Sequence, residues 1–168
     1  MTAKKILISL SCFLTIIVLF GCKELTKDSY DFYNDVKTTD LSNERINSIT
    51  IGSTEKEILE EFGTPQKVDQ NDDKFKNIFY ENEGLYLLFE NDKLIEYRIN
   101  IEKFKSDKEI KVGDKKQIVI DKYGENYYIK KDENSTEIAI GYFDKNNNLH
   151  LEFGLEKDVV IFINVVEM

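Results

Sequence analysis

One pattern occurs twice in this sequence, about sixty residues apart, and it limits the possible folds more than any other feature. Residues 49–53 (Ile-Thr-Ile-Gly-Ser) match residues 110–114 (Ile-Lys-Val-Gly-Asp) at an offset of 61. Later in each half, apolar residues match at an offset of 64: Leu85, Leu87 and Phe89 with Leu149, Leu151 and Phe153, and Ile95, Tyr97 and Ile99 with Val159, Ile161 and Ile163. We therefore expect two repeats of one supersecondary unit, over about residues 48–104 and 105–168.

A short amphipathic helix is expected at the start of each repeat. Ser53 and Asp114 follow the repeated glycine and are suitable N-caps, because their side-chain oxygens accept hydrogen bonds from free backbone N–H groups. The apolar positions that come next recur with helical spacing. Gly63 and Gly124 then lie where a helix commonly ends, and Pro65 prevents the first helix from continuing.

The rest of each repeat alternates apolar and polar residues, which is typical of strands with one buried face. Predicted strands cover residues 77–80, 85–89, 94–101, 137–143, 149–153 and 159–165, with turns at 90–93 and near 156–157. The predicted fold class is therefore α+β: two tandem helix-plus-three-strand repeats that form a curved antiparallel sheet with short helices on one face.

This arrangement resembles a known family. Residues 51–65, which run from Ile-Gly-Ser to Phe-Gly-Thr-Pro, and their echo in residues 112–124 are similar to the tandem-repeat domains of the beta-lactamase inhibitor protein type and to the small bacterial lipoproteins of the SmpA/OmlA (BamE) type. The resemblance covers about residues 48–168. It implies helices on the convex side of a curved sheet and a concave face that binds another protein. Asn126 stands where the first repeat has Pro65, so the loop after the second helix is expected to differ.

The amino terminus shows the order of features that is typical of a bacterial lipoprotein signal. Lys4 and Lys5 precede an uncharged apolar stretch over residues 6–20, which is short for a membrane-spanning helix. The stretch ends in Leu19-Phe20-Gly21-Cys22, a lipobox pattern. We predict that residues 1–21 are a signal peptide and that the thiol of Cys22 carries a diacylglyceryl group; the alternative is an uncleaved anchor helix.

Two acyl chains hold a protein on a membrane stably, so the mature protein is expected at the cell membrane, lipid-anchored, on the extracytoplasmic face. Residues 22–47 are mostly polar and are predicted to be a tether between the lipid and the domain, with room for one short amphipathic helix around Tyr30 and Tyr33. Cleavage would also remove Cys12, which leaves Cys22 alone and excludes a disulfide framework.

The formal net charge of −9 argues against nucleic-acid binding, because an acidic protein is repelled by phosphate backbones. No residue set forms a convincing catalytic or metal site, and no cofactor is expected. His150 is the only histidine, which excludes metal sites built from several histidines. Residues 144–155 begin like an EF-hand loop but carry Leu where that loop requires Gly and Glu, so an Asn-rich turn is the better interpretation.

The strand alternation predicts a candidate binding surface on the sheet face opposite the helices. Aromatic and apolar residues with a few charges are expected there, which is typical of a protein-binding site. The candidate residues are Phe79, Tyr86, Leu88, Arg98, Phe143, His150, Val160 and Phe162. The structural alternative is that the tether, or a second copy of the protein, covers this face.

The leading hypothesis is a non-enzymatic, membrane-anchored extracytoplasmic lipoprotein that uses the open face of its sheet to bind an envelope or extracellular protein. The alternative is a lipoprotein that binds a small ligand or a cell-wall fragment through Tyr86, Arg98 and His150 in the same groove. A hydrolase is the third hypothesis, with a site that the sequence does not reveal. A closed pocket would favour a ligand, and an open surface would favour a protein partner.

Overall fold

Eight strands form a single antiparallel sheet in the order β1-β2-β3-β4-β8-β7-β6-β5. The computed structural model describes residues 27–70 and 73–168, so the predicted signal peptide (residues 1–21) and Cys22 lie outside the described residues. The strands are β1 (Lys67–Asp69), β2 (Phe75–Tyr80), β3 (Leu85–Glu90), β4 (Lys93–Ile99), β5 (Tyr128–Lys131), β6 (Glu137–Asp144), β7 (Leu149–Glu156) and β8 (Val159–Glu167). The two α-helices are α1 (Glu55–Phe62) and α2 (Lys116–Tyr123), and short 3-10 turns cover Ser29–Phe32 and Glu81–Glu83.

The predicted fold class, α+β with two helix-plus-three-strand repeats, is wrong. Each half contributes four strands rather than three, and the two helices have only eight residues each, so the fold is β-rich. The strands that the sequence analysis missed are β1 and β5, which form the two edges of the sheet. An edge strand can be short and pairs on one side only, so its sequence needs no regular apolar alternation.

The helix starts differ from the prediction by one residue. Thr54, not Ser53, is the N-cap of α1, and it forms a capping box in which the Glu57 carboxylate accepts the Thr54 N–H at 2.6 Å. Lys115 precedes α2 without a side-chain cap, because the Asp114 carboxylate accepts the Lys111 N–H at 2.9 Å instead. Within the described part of the chain, no helix has the length and hydropathy needed to cross a membrane.

The ends of both helices are attached to the sheet by the same contact. Gly63 and Gly124 end α1 and α2 with φ of 75° and 89°, a backbone conformation that glycine adopts at little cost. Their carbonyl groups accept hydrogen bonds from buried tyrosines, Tyr80 to Gly63 at 2.8 Å and Tyr142 to Gly124 at 3.1 Å. Both helices therefore pack on one face of the sheet, which we call the core face.

A β-bulge in each half changes which residues reach the core face. On β8, Ile161 is an extra residue, because Gly154 pairs with Phe162 while Leu155 pairs with Val160. The bulge shifts the alternation by one residue, and Val160 is completely buried in the core. The prediction that Val160 faces away from the helices is therefore wrong.

The corresponding bulge on β4 lies at Ile95, so Phe89 pairs with Leu94 as Leu155 pairs with Val160. These hairpins thus correspond at an offset of 66, not the 64 read from the sequence. The two offsets differ by two residues, which is one full period of a strand, so the same alternate positions on β3 and β7 point inward.

Much of the predicted tether is part of the folded domain. Residues 22–26 lie outside the described residues, but residues 27–47 run along the sheet and back toward α1. Leu41 and Ile46, together with the adjoining Ile49, are buried in the core at 1%, 0% and 2% exposure. The prediction of a free polar tether is wrong for this stretch, because Leu41 and Ile46 pack into the core while most of the polar residues around them stay exposed.

Asp144 attaches this N-terminal stretch to the end of β6. Its carboxylate accepts the Leu41 N–H at 2.9 Å and the N–H groups of Asn146 and Asn147 at 3.0 and 3.1 Å. Burial alone would raise the pKa of Asp144, but hydrogen bonds from Asn147, Leu41 and Asn146 outweigh it and lower this pKa. The residues that resemble an EF-hand loop thus form a turn, and no group of three or more potential metal ligands occurs in the described ranges.

Glu44 makes a second attachment, to α2. Its side chain is almost completely buried; the Tyr123 hydroxyl donates to Oε1 at 2.5 Å and the Asp107 N–H donates to Oε2 at 3.3 Å. Burial raises the pKa of Glu44, because the carboxylate loses its hydration, and the hydrogen bonds offset this only in part. The folded state therefore favours the protonated form of this side chain more than the unfolded chain does.

We predict that Glu44→Gln removes a pH-dependent loss of stability. A raised folded-state pKa stabilises the protein below the unfolded pKa, and this contribution is lost as the pH rises through the folded pKa. Urea unfolding from pH 4 to 7 should therefore show the variant gaining stability relative to wild type as the pH rises.

Glu57→Gln is the matched control, because hydrogen bonds from the Thr54 N–H and hydroxyl lower the pKa of Glu57. Its stability relative to wild type should change with pH in the opposite direction. A pH-independent difference between Glu44→Gln and wild type would contradict the burial of a carboxyl at position 44 that its hydrogen bonds compensate only in part.

Candidate functional site

The candidate site is the sheet face opposite the helices, which we call the outer face. Strand pairing aligns one row of outer-face residues across seven of the eight strands, from β2 to β5: Phe79, Tyr86, Arg98, Asn164, Glu152, Gly141 and Tyr128. The next row consists of Asn77, Leu88, Glu96, Val166, His150 and Phe143. The candidate residues predicted from the sequence, apart from Val160, therefore do lie on one face.

The N-terminal stretch covers one part of this face, formed by β5, β6 and β7, which we call the covered half. Aromatic rings make most of the contact. Phe32 stacks on Tyr128 with ring centroids 4.9 Å apart and planes 7° apart. Tyr33 meets Phe143 edge-on at 5.3 Å, and Tyr30 lies 5.7 Å from His150. This covering is the alternative that the sequence analysis left open, and it applies to half of the face.

A chain of hydrogen bonds lies under the 3-10 turn at Ser29–Phe32, which we call the covering turn. The hydroxyls of Ser29 and Tyr128 both donate to Oε2 of Glu152, at 2.6 and 2.5 Å. The Tyr128 oxygen also lies 2.8 Å from Nε2 of His150. Since the Tyr128 proton is directed at Glu152, the Nε2–H group of His150 donates to the tyrosine oxygen. These polar groups are therefore satisfied among themselves.

His150 is consequently held neutral. It is 4% exposed, and Phe143 stacks on its ring at 4.7 Å. Burial lowers the pKa of His150 to about 4, although the nearby Glu152 carboxylate acts in the opposite direction. The prediction that Phe143 and His150 belong to an open binding surface is wrong, because both are buried beneath the N-terminal stretch.

The other part of the outer face, on β2, β3, β4 and the adjoining side of β8, is not covered by any described residue, and we call it the open half. Phe79, Tyr86, Leu88 and Phe162 are partly exposed there, and Arg98 is exposed. The rings of Phe79 and Tyr86 meet edge-on at 5.6 Å. The side chains surround a shallow cavity of about 130 Å³, lined by Asn77, Phe79, Tyr86, Leu87, Leu88, Glu96 and Arg98.

Arg98 and Phe162 form a stacked pair at the side of this cavity. The guanidinium carbon lies 3.7 Å from the ring centroid, well within the range of a cation–π interaction. Phe162 in turn lies directly over Gly154, its cross-strand neighbour on β7. A Cβ atom at Gly154 would approach a carbon of the Phe162 ring to 2.0 Å, so only glycine leaves room for the ring in this position.

The sequence analysis did not identify Gly154 as part of the site. The same arrangement occurs on the covered half, where the Tyr128 ring would lie 2.4 Å from a Cβ atom at Gly141. The signal was present, because a glycine inside a strand commonly marks a close approach of another group. Glu96 and Asn77, which line the cavity, were also missed as candidate residues, although their positions follow from the same alternation.

We predict that His150→Gln changes how stability depends on pH. The unfolded chain protonates this histidine below about pH 6.5, and the folded chain only near pH 4, so protonation destabilises the folded state as the pH falls through that window. The free energy of unfolding of wild type should fall by roughly 1 to 2 kcal/mol relative to the variant between pH 7 and pH 5. If wild type and His150→Gln lost the same free energy of unfolding between pH 7 and pH 5, the histidine would be hydrated in the folded state, and the covering turn would not bury it.

We also predict that Gly154→Ala displaces Phe162 and breaks its stacking on Arg98, at a cost of about 1 to 3 kcal/mol in stability. In NMR spectra, the Arg98 side-chain protons should lose the upfield shift that the aromatic ring causes. Gly141→Ala is the control, because it should displace Tyr128 and leave the Arg98 signals in place. An unchanged Arg98 shift in Gly154→Ala would contradict the role of this glycine.

Comparison with known proteins shows that the fold, but not the sequence, is similar to that of solved structures. No family model and no curated protein matches the sequence. The fold is similar to that of an extracellular protein containing an SCP domain from Bacillus anthracis, with a TM-score of 0.52 and 9% identity over 78% of this chain and 48% of that one. Identity this low shows the fold alone.

Two further solved structures align less well. They are a cysteine-rich secretory protein from Staphylococcus aureus, with a TM-score of 0.49 and 11% identity over 69% of this chain and 42% of that one, and a DUF4309 family protein from Bacillus subtilis, with a TM-score of 0.48 and 16% identity over 86% and 97%. The chain spans about half the length of the first two proteins. None of the three is named as an inhibitor or lipoprotein of the type that the helix-flanking glycines resemble, so that resemblance stays a prediction.

Proposed function

We propose that this chain is a membrane-anchored extracytoplasmic lipoprotein, without enzymatic activity, that binds a protein partner through the open half of its outer face. The lipobox ending in Cys22 supports the anchor and the location. The partly exposed side chains around Tyr86 and Leu88 support the binding role. The partner is an envelope or extracellular protein, and a nucleic acid is disfavoured by the negative net charge.

The observation that carries the proposal is the size and shape of the cavity between Phe79, Tyr86 and Leu88. Its volume of about 130 Å³ is close to that of an engineered cavity of roughly 150 Å³ that holds one benzene molecule. Pockets for small ligands typically occupy 300 to 1,000 Å³ and enclose most of the ligand. A shallow cavity of this size fits one apolar side chain of a protein that lies across the sheet.

The residues around the cavity belong to the types that dominate binding energy at protein interfaces. Tyr and Arg are enriched among interface hot spots, and Tyr86 and Arg98 lie directly opposite each other on β3 and β4. Both sit on strands whose inner faces are buried, so their backbone positions are fixed before a partner arrives. A rigid, partly apolar surface binds with a small entropy cost.

The anchor would hold this surface close to the membrane. Lys27, the first described residue, follows Cys22 by five residues, and five residues of extended chain span at most about 18 Å. Because the covering turn directly after Lys27 packs on the sheet, the domain cannot move further from a lipid on Cys22 than this reach allows. The partner is therefore expected at or near the membrane surface.

The alternative function, binding of a small ligand or a cell-wall fragment, has less support. It requires Tyr86, Arg98 and His150 in one groove. His150 lies beneath the covering turn, hydrogen-bonded to Tyr128, and does not line the cavity that Tyr86 and Arg98 share. A hydrolase mechanism that relied on His150 has less support for the same reason, because this histidine is buried.

Site-specific photo-crosslinking in intact cells tests the proposal. A photoreactive amino acid at Leu88 should give a defined protein adduct, and the Tyr86→Ala/Phe162→Ala double variant should lose that adduct while remaining folded at the temperature of the experiment. The matched control carries the photoreactive residue at Leu59, which is 40% exposed on α1 and points away from the outer face. Identical adducts from both positions, or an adduct that persists in the double variant, would contradict the assignment of the binding site.

A further inference from the structure

We infer that the partner binds with an apolar side chain in the cavity of the open half and with a neighbouring carboxylate on the guanidinium of Arg98. This inference rests on the proposed function and adds the chemistry of the partner segment. It combines three observations: the unused donors of Arg98, the pairing of the surrounding charges, and the position of the cavity beside the guanidinium.

The guanidinium of Arg98 is held in an orientation that allows it to bind a carboxylate. Phe162 covers one face of its planar guanidinium at 3.7 Å and restricts its orientation. Stacking uses the face of the group and leaves the N–H donors at its edge, which match the two oxygens of a carboxylate. Among residues 27–70 and 73–168, no carboxylate lies within ion-pair distance of Arg98, so these donors have no acidic partner in the part of the chain that the structure describes.

The neighbouring charges are already engaged. Lys67 at the edge of the face forms an ion pair with Asp69 at 2.5 Å, and Lys74 pairs with Glu90. Glu96, the acidic residue nearest to Arg98 along β4, accepts a hydrogen bond from the Asn164 amide at 3.0 Å. An incoming carboxylate would therefore meet Lys67 and Lys74 already in ion pairs, and Arg98 without an ion-pair partner among the described residues.

The cavity and the guanidinium are close enough for one short segment to use both. Arg98 lines the cavity together with Tyr86, its direct cross-strand neighbour. Side chains in such pairs have Cβ atoms about 5 Å apart. A partner would therefore present its apolar side chain and its carboxylate from adjacent residues or from one turn of structure.

The chain itself shows that the outer face accepts the aromatic side chains of an acidic and aromatic segment. Residues 28–33 (Asp-Ser-Tyr-Asp-Phe-Tyr) combine acidic and aromatic residues within one 3-10 turn, and the rings of Tyr30, Phe32 and Tyr33 pack on the covered half. The carboxylates of Asp28 and Asp31 stabilise this turn by accepting backbone N–H groups at its start. The open half offers aromatic rings in the same way and adds Arg98, which has no ion-pair partner among the described residues.

Selection from a library of random heptapeptides displayed on phage tests the inference on the whole folded domain. Peptides are selected on the wild-type protein and counter-selected on a Leu88→Lys variant, in which a charge occupies the cavity. We expect the recovered sequences to be enriched in Phe, Tyr or Leu next to Asp or Glu. Recovered sequences without acidic residues, or a selection that yields no Leu88-dependent peptide, would overturn the inference.

Affinity measurements on one recovered peptide then locate the carboxylate. Replacing its acidic residue with the corresponding amide should weaken binding to wild type about tenfold, as expected for a hydrogen bond to a charged group. The same replacement should have little effect on an Arg98→Gln variant, because the partner of the carboxylate is then absent. An equal loss on both proteins would overturn the assignment to Arg98.

Photo-crosslinking and peptide selection together separate this inference from the proposed function. If crosslinking at Leu88 captures a protein that depends on Tyr86 and Phe162, while selected peptides lack acids, the open half binds proteins but the assigned partner chemistry is wrong. If crosslinking is equal at Leu88 and Leu59, the proposed function itself fails.

Discussion

Strands β4 and β8 come from different halves of the chain, and their pairing merges two four-stranded units into one sheet. The register sets Tyr97 beside Val165 on the core face, where both are buried, and Arg98 beside Asn164 on the outer face. The same pairing brings Phe162 from β8 under the guanidinium of Arg98 from β4. Without this junction, the core would be divided and the stacked pair would not exist.

The outer face is divided into two halves by a difference in local chemistry. On β5 to β7, Gly141 leaves space for the Tyr128 ring, and the resulting aromatic surface is covered by residues 28–33 of the same chain. On the other side, Gly154 leaves space for Phe162, whose ring supports Arg98 instead of a covering segment. One half is therefore closed by intramolecular contacts, and the other half remains available to a partner.

Local sequence patterns were reliable where local forces decide the structure. The glycines that end both helices and the alternation along β3 and β7 appear in the structure, because helix termination and strand pleating depend on a few adjacent residues. The errors have local reasons as well. Both helices start one residue later than predicted because the side chains of Ser53 and Asp114 accept the N–H groups of Thr50 and Lys111 instead. The edge strands β1 and β5, with three and four residues, are too short to show a regular alternation.

The sequence by itself determined the inward and outward positions along most strands, and hence that Phe79, Tyr86, Leu88 and Arg98 share one face. Only the tertiary structure decided which of the outward residues stay accessible. The bulge at Ile161 directs Val160 into the core, and residues 28–33 bury Phe143 and His150 from more than a hundred positions away in the chain. Periodicity reports the direction of a side chain, whereas its exposure depends on which distant segment packs over it.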